Sequence, residues 1–128
     1  NNQLDFAIAE TKNNNGLNLN LALAYSSRYE LTNAVINISK DILDKKIIIN
    51  NITEDTVSKY LLTKDVPDPE LLIRTGGSER LSNFLLWQSA YTEIHFSDQY
   101  WPDFNEDDLN KALLDYQSRD RKFGRIKN

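Results

Sequence analysis

The chain has 128 residues, 40% hydrophobic and 27% charged, which suits one domain with a moderate core and the composition of an ordinary globular protein. Its net charge of −4, from 15 basic and 19 acidic residues, gives no electrostatic footprint for nucleic acid or for an anionic membrane. It has no cysteine, which excludes disulfides and thiolate metal sites and fits a reducing compartment such as the cytoplasm, and no apolar run approaches the roughly 20 residues of a membrane-spanning helix.

Methionine is also absent, and the chain opens on NNQLDFAIAETK, with Leu4, Ala7 and Ile8 on one helical face. This reads as a helix already in progress, so residues 1–128 are expected to be the carboxyl-terminal portion of a single, longer domain. Asn13-Asn14-Asn15-Gly16 ends the helix, with Gly16 expected as a left-handed cap. In LNLNLALAY, Leu17, Leu19, Leu21 and Leu23 alternate with polar or small residues at the period of a β-strand. A helix is expected over 28–46, with Leu31, Ala34, Val35, Ile38 and Ile42 on one face. NNITEDTVSKYLL reads as a loop and a short helix capped near Thr53, VPDPE as proline punctuation, and Leu71 to Ile73 as a buried strand ending in Arg74. After a turn come a helix holding Phe84 to Trp87, the strand EIHFS, the turn DQYWPDF and a last helix with Asn105 at its N-cap. Helices alternating with apolar strands predict an α/β fold with a mostly parallel sheet and helices on both faces.

The residues that could carry chemistry gather in IRTGGSERLSN. Ligands of open α/β sheets bind outside the carboxyl ends of the strands, where Arg74 falls. Gly76-Gly77 lets the backbone turn sharply and approach a ligand closely, and Arg80 follows. Ser82 or Asn83 is expected to cap the next helix, whose positive end, with two planar guanidinium groups, suits a diphosphate. The alternative is that Arg74 pairs with an acidic neighbour and the glycines only turn the chain. Glu93 opens a strand, where its carboxylate either holds Mg²⁺ or faces solvent; from the residues alone, solvent is the commoner outcome for a charge. His95 is the one histidine, supports neither a triad nor a zinc site, and reads as structural. Trp87, Trp101, Tyr91 and Phe96 have no basic stripe beside them and read as packing, not as base-stacking platforms. The basic run SRDRKFGRIK, with Arg119, Arg121, Lys122 and Arg125, either complements a helix C-terminus or reaches toward a phosphate or a partner.

The run IRTGGSERLSNFLLWQSAYTEIHFSDQYWPDF resembles the carboxyl-terminal signature of the cis-prenyltransferases, the family that includes bacterial undecaprenyl diphosphate synthase. The likeness rests on the Arg-Thr-Gly-Gly turn, the Arg-x-Ser-Asn-Phe segment, the Trp-Gln helix, the Glu before a strand and Trp-Pro-Asp-Phe. Weaker similarity extends to LNLNLALAYSSRYEL and SRDRKFG. The resemblance implies an enzyme that condenses isopentenyl diphosphate repeatedly onto an allylic diphosphate such as farnesyl diphosphate. Each new double bond would be cis, and the product a long polyprenyl diphosphate such as undecaprenyl diphosphate, a cell-wall lipid carrier. By the same likeness Arg74, Arg80 and Ser82, with the backbone around Leu81, would hold isopentenyl diphosphate, and Glu93 would help bind Mg²⁺. It further implies a homodimer whose basic tail reaches toward the neighbouring subunit's active site, a cytoplasmic location with peripheral membrane contact for product release, and no nucleic-acid partner.

The chain departs from the family pattern at Ala24-Tyr25-Ser26-Ser27-Arg28, where Asn-Tyr-Gly-Gly-Arg is usual, and at Glu79, where a histidine is common. It departs again at Lys122-Phe123-Gly124, where Arg-x-Gly is frequent; lysine keeps the charge but loses the bidentate fork. The family's aspartate-bearing amino-terminal motif, which binds the allylic diphosphate and Mg²⁺, is not among these residues. The chain alone is therefore expected to be inactive, and no catalytic residue is assigned to it. Two readings compete: a noncatalytic partner subunit, which would not need the clamp residues this chain retains, and a generic nucleotide-binding module, which would need a glycine-rich phosphate loop that the sequence lacks.

Overall fold

Two short parallel strands form the platform of the site. In the computed structural model, which describes residues 2–120, β1 (Leu71–Arg74) pairs with β2 (Glu93–Phe96) so that Leu71 lies opposite Glu93 and Arg74 opposite Phe96. The parallel pairing and the α/β class are as the sequence predicts. The helices are α1 (Asn2–Thr11), α2 (Ser27–Leu43), α3 (Glu54–Ser58) and α4 (Glu106–Ser118), with 3-10 turns at Ile49–Asn51 and Trp101–Asp103. Among the described residues no helix is long and apolar enough to cross a membrane.

α2 buries Ser27, Glu30, Ala34 and Ile38, a stripe at helical spacing. Among the described residues, Ala34 and Ile38 of this stripe, with Leu61 and Ala112, are the buried apolar ones. Thr53 caps α3 by accepting from Thr56 N–H at 3.3 Å, with Thr56 Oγ1 accepting in return from Thr53 N–H at 3.1 Å. Asn105 caps α4, its Oδ1 accepting from Asp107 N–H at 2.9 Å. Both caps sit where the sequence puts them, because a short polar side chain satisfies N–H groups that the first helical turn leaves unpaired.

Three expectations fail. Residues 17–25 form no strand: the period-two pattern is present, but a strand needs a neighbouring ladder, and Leu17, Leu19, Leu21 and Leu23 are 60–92% exposed. Gly16 is not left-handed; among the described residues the glycines with positive φ are Gly76 and Gly77. The expected helix around Phe84 to Trp87 is a series of turns, because Ser82, Asn83 and Leu85 adopt φ of 49°, 64° and 46°, which no right-handed helix can include. There is accordingly no helix N-terminus at Ser82 or Asn83 to offer a dipole.

Candidate functional site

β1 delivers Arg74 to the end of the sheet, and the next residues fold back over it. Gly76 (φ 87°) and Gly77 (φ 67°) take left-handed conformations, which glycine reaches without a Cβ clash. Their N–H groups donate to the Gln99 and Ser97 carbonyls at 2.8 and 3.0 Å, pinning the turn to the segment that leaves β2. The chain then returns Arg80 and Ser82 to Arg74. Arg74 Nη1 donates to Ser82 Oγ at 2.9 Å and to the Arg80 carbonyl, and Arg80 Nε donates to the same Ser82 Oγ at 3.2 Å. Two guanidinium groups thus converge on one hydroxyl, and Arg74 Nε is buried without a hydrogen-bond partner.

These side chains line an open cleft of about 340 Å³ together with Leu72, Ile73, Thr75, Leu81 and Phe84. The structure brings Arg74, Arg80, Leu81 and Ser82 together, as expected from sequence. Among the described residues neither arginine has a carboxylate within ion-pair distance, so the alternative in which Arg74 is neutralised by an acidic neighbour fails. Like charges held close without a counter-ion favour an anion in the cleft.

Glu93 lies elsewhere. The register places it opposite Leu71, at the far end of the sheet from Arg74, about 10 Å along the strand by the usual rise per residue. It does not simply face solvent: Arg119 Nη1 donates to its Oε2 at 2.9 Å. Arg119 Nη2 reaches Asp115 Oδ2 at 2.7 Å, and that oxygen lies 2.8 Å from His95 Nδ1. This chain of contacts ties the end of α4 to β2 and gives His95 the structural role expected of it. Sequence reasoning missed the network, although the spacing of Asp115 and Arg119, one helical turn apart, was a signal for a pair. Trp87 is half-buried, as expected, with Nε1 donating to Ser58 Oγ at 3.0 Å; Trp101 stacks on Phe104 with ring centroids 6.1 Å apart but, like Tyr91, is largely exposed, so the packing expected of those two is not found. The basic-tail positions Arg121, Lys122 and Arg125, with the Lys122-Phe123-Gly124 departure, lie outside the described residues.

The Arg119 hydrogen bond, and then that of His95, hold the Asp115 carboxyl below the usual aspartate range. A carboxyl depressed in the folded state adds stability above its unfolded value, about 3.9, and loses it as pH falls through the folded value. Acid is therefore expected to loosen α4 from β2 below about pH 4, and Asp115→Asn should flatten the acid limb of melting temperature against pH. An unchanged limb in the variant would show that this linkage contributes nothing.

A second buried cluster was also missed. Glu30, 2% exposed, accepts from Tyr25 Oη, from Leu62 N–H at 2.8 Å and from Gln88 Nε2 at 3.1 Å. Burial first, and then the bond to Glu30, raise the Tyr25 phenol above its ordinary value.

The family model of the undecaprenyl diphosphate synthases matches residues 1–124. The chain is 51% identical over 122 residues to an isoprenyl transferase of Clostridium perfringens, covering 95% of this chain and 48% of that protein. It is 50% identical over 124 residues to an isoprenyl transferase of Streptococcus agalactiae, covering 94% and 50%. The crystal structure of lavandulyl diphosphate synthase from Lavandula x intermedia, in complex with dimethylallyl diphosphate, superposes with a TM-score of 0.92 at 36% identity, over 97% of this chain and 53% of that one. The chain spans about half the length of the relatives it matches. With the matched residues running through nearly all of it, including the Arg74 to Ser82 cleft, the chain belongs to the undecaprenyl diphosphate synthase family of prenyltransferases.

Proposed function

We propose that this chain supplies the isopentenyl diphosphate side of a cis-prenyltransferase, which adds isopentenyl diphosphate repeatedly to an allylic diphosphate such as farnesyl diphosphate and builds a long polyprenyl diphosphate carrier such as undecaprenyl diphosphate. The observation that carries the reading is the convergence of Arg74 and Arg80 on Ser82 Oγ with no carboxylate beside them. A diphosphate offers several oxygens to such donors. Arg74 Nε already points without a partner, and Ser82 Oγ can turn its own hydrogen toward an anion. Leu81, Ile73 and Phe84 in the same cleft suit the short hydrocarbon that the diphosphate carries. The lavender synthase's ligand, dimethylallyl diphosphate, supports a prenyl diphosphate as the ligand class.

Magnesium fits this chain in part. The ion usually takes one or two carboxylates and completes its six oxygens with water and substrate phosphate. Glu93 provides one carboxylate, of which Arg119 takes Oε2, and among the described residues no group of three His, Cys, Asp or Glu could form a cage. In the proposed enzyme Glu93, whose Oε1 is free among the described residues, would help hold the ion, which when bound would offset the charge developing on the leaving diphosphate. The chain's own part is to fix the isopentenyl diphosphate by charge and orientation.

The complete enzyme is proposed to be a cytoplasmic homodimer that meets the membrane peripherally when product leaves. Sedimentation of the complete protein at assay concentration tests the dimer. The direct test of the function is prenyl transfer. The 128-residue chain alone should form no product from farnesyl and isopentenyl diphosphates, and a protein that joins it to the rest of the family's length should. Product from the chain alone, or none from the joined protein, would overturn the reading.

A further inference from the structure

The turn that carries Ser82 is held from behind by the start of α2, and Asn83 does the holding. Its carbonyl accepts Ser27 N–H at 3.0 Å, its Oδ1 accepts Arg28 N–H at 2.9 Å, and its Nδ2 donates to Ser26 Oγ at 2.7 Å. Leu86 N–H then donates to Ser27 Oγ at 3.0 Å, and Ser27 is 0% exposed. The first N–H groups of a helix have no partner within it. Ser26, at the N-cap position, forms no capping bond of its own, so Asn83 serves as the cap from a distant part of the chain. Phe84 reinforces the contact by meeting Tyr25 edge-on, with centroids 5.6 Å apart.

The held segment is the one whose backbone most needs holding. Ser82, Asn83 and Leu85 are all left-handed, at φ of 49°, 64° and 46°. Residues with a Cβ enter that region at an energetic penalty, smallest for Asn, and stay there when surrounding structure fixes them. The arginines do less of this, because they grip Ser82 by its hydroxyl and their one backbone bond is to the Arg80 carbonyl, two residues earlier. What sets the Ser82 backbone, and hence where Oγ stands between the two guanidinium groups, is the anchorage of its neighbour. The Ser26-Ser27 pair, which the family resemblance leaves unexplained, falls into place: each hydroxyl accepts one of the anchoring bonds.

We propose that Asn83, with the Ser26 and Ser27 hydroxyls, positions the diphosphate clamp by locking the left-handed turn of Ser82 onto the start of α2. The inference rests on the reading of the Arg74–Ser82–Arg80 cleft as a diphosphate site. It is tested on a ¹⁵N-labelled complete prenyltransferase that carries this chain, titrated with inorganic pyrophosphate, following the Nε–H resonances of Arg74 and Arg80. In the parent protein both should shift saturably, and Arg74→Ala should abolish the response at Arg80. Asn83→Gly keeps access to positive φ while deleting both side-chain bonds. It should displace the two arginine resonances before any ligand is added and weaken pyrophosphate binding about fivefold or more, the range expected for losing one or two neutral hydrogen bonds. Ser26→Ala with Ser27→Ala should act in the same direction with α2 intact by circular dichroism; if Asn83→Gly does not fold, this pair decides. Folded variants with undisplaced arginine resonances and parental pyrophosphate affinity, in a chain where Arg74→Ala abolishes binding, would sink the positioning role alone. No arginine response in the parent protein would remove the diphosphate reading and the positioning role together.

Discussion

Arg74→Ala, made in a protein that carries this chain within a complete prenyltransferase, is expected to raise the KM for isopentenyl diphosphate about tenfold or more, because each charge-assisted hydrogen bond contributes on the order of 1.5–3 kcal/mol. Arg74 has no second task that would hide the effect: among the described residues it pairs with no carboxylate, and its bonds go to Ser82 Oγ and the Arg80 carbonyl within its own cleft. Arg74→Lys should fall between the parent and the alanine variant, since an ammonium keeps the charge but cannot grip two oxygens in one plane. A folded Arg74→Ala variant with an unchanged KM would take Arg74 out of the clamp. The kinetic split matters as well. If the contact holds isopentenyl diphosphate equally in the ground state and in the transition state, kcat should move much less than KM.

The parts of the fold that could be read from sequence are those whose cause is local. Thr53 and Asn105 cap helices because a side chain one turn away from an unpaired N–H is enough, and that spacing is visible in the chain. The Arg-Thr-Gly-Gly turn was legible because glycine at a sharp turn has a local steric reason. The parts that could not be read depend on distant partners. Leu17 to Leu23 alternate like a strand yet form none, since period two describes which face a residue would take and cannot supply the neighbouring ladder. Phe84 to Trp87 were read as helical from their apolar run, but Asn83 is held in a left-handed conformation by Ser26, Ser27 and Arg28, more than fifty positions earlier. Within the candidate site, Arg74, Arg80 and Ser82 came together as expected because one tight turn joins them. Glu93 was placed on its strand correctly, but its partner Arg119 comes from the end of α4 and leaves no mark near Glu93 in the sequence.

Glu30→Ala is expected to be the most destabilising single substitution in the chain. A carboxylate is an acceptor on both oxygens, and this one faces three donors: the Tyr25 phenol, Leu62 N–H and Gln88 Nε2. With Glu30 2% exposed, its loss leaves those donors in a space that water reaches poorly. An orphaned buried donor costs ~1–3 kcal/mol; Gln88 Nε2 keeps its bond to Thr63 Oγ1 at 2.8 Å and Leu62 is itself exposed, so the loss should fall in that range, still a large share of the ~5–15 kcal/mol that holds a typical domain folded. Glu30→Gln separates chemistry from volume. The amide keeps one acceptor oxygen but turns an N–H₂ toward groups that are themselves donors, so it should lose part of the stability while filling the same space. Urea unfolding of the parent and the two variants measures both effects, and a loss below ~1 kcal/mol for Glu30→Ala would mean that the donors find other partners. The consequence reaches the cleft, because Gln88 belongs to the same run of turns as Ser82 and Asn83. Glu30 anchors one end of that run to α2 while Asn83 anchors the other, so a variant that cuts the Glu30–Gln88 bond and leaves Gln88 tied only to Thr63 should loosen the arginine clamp as well as the core.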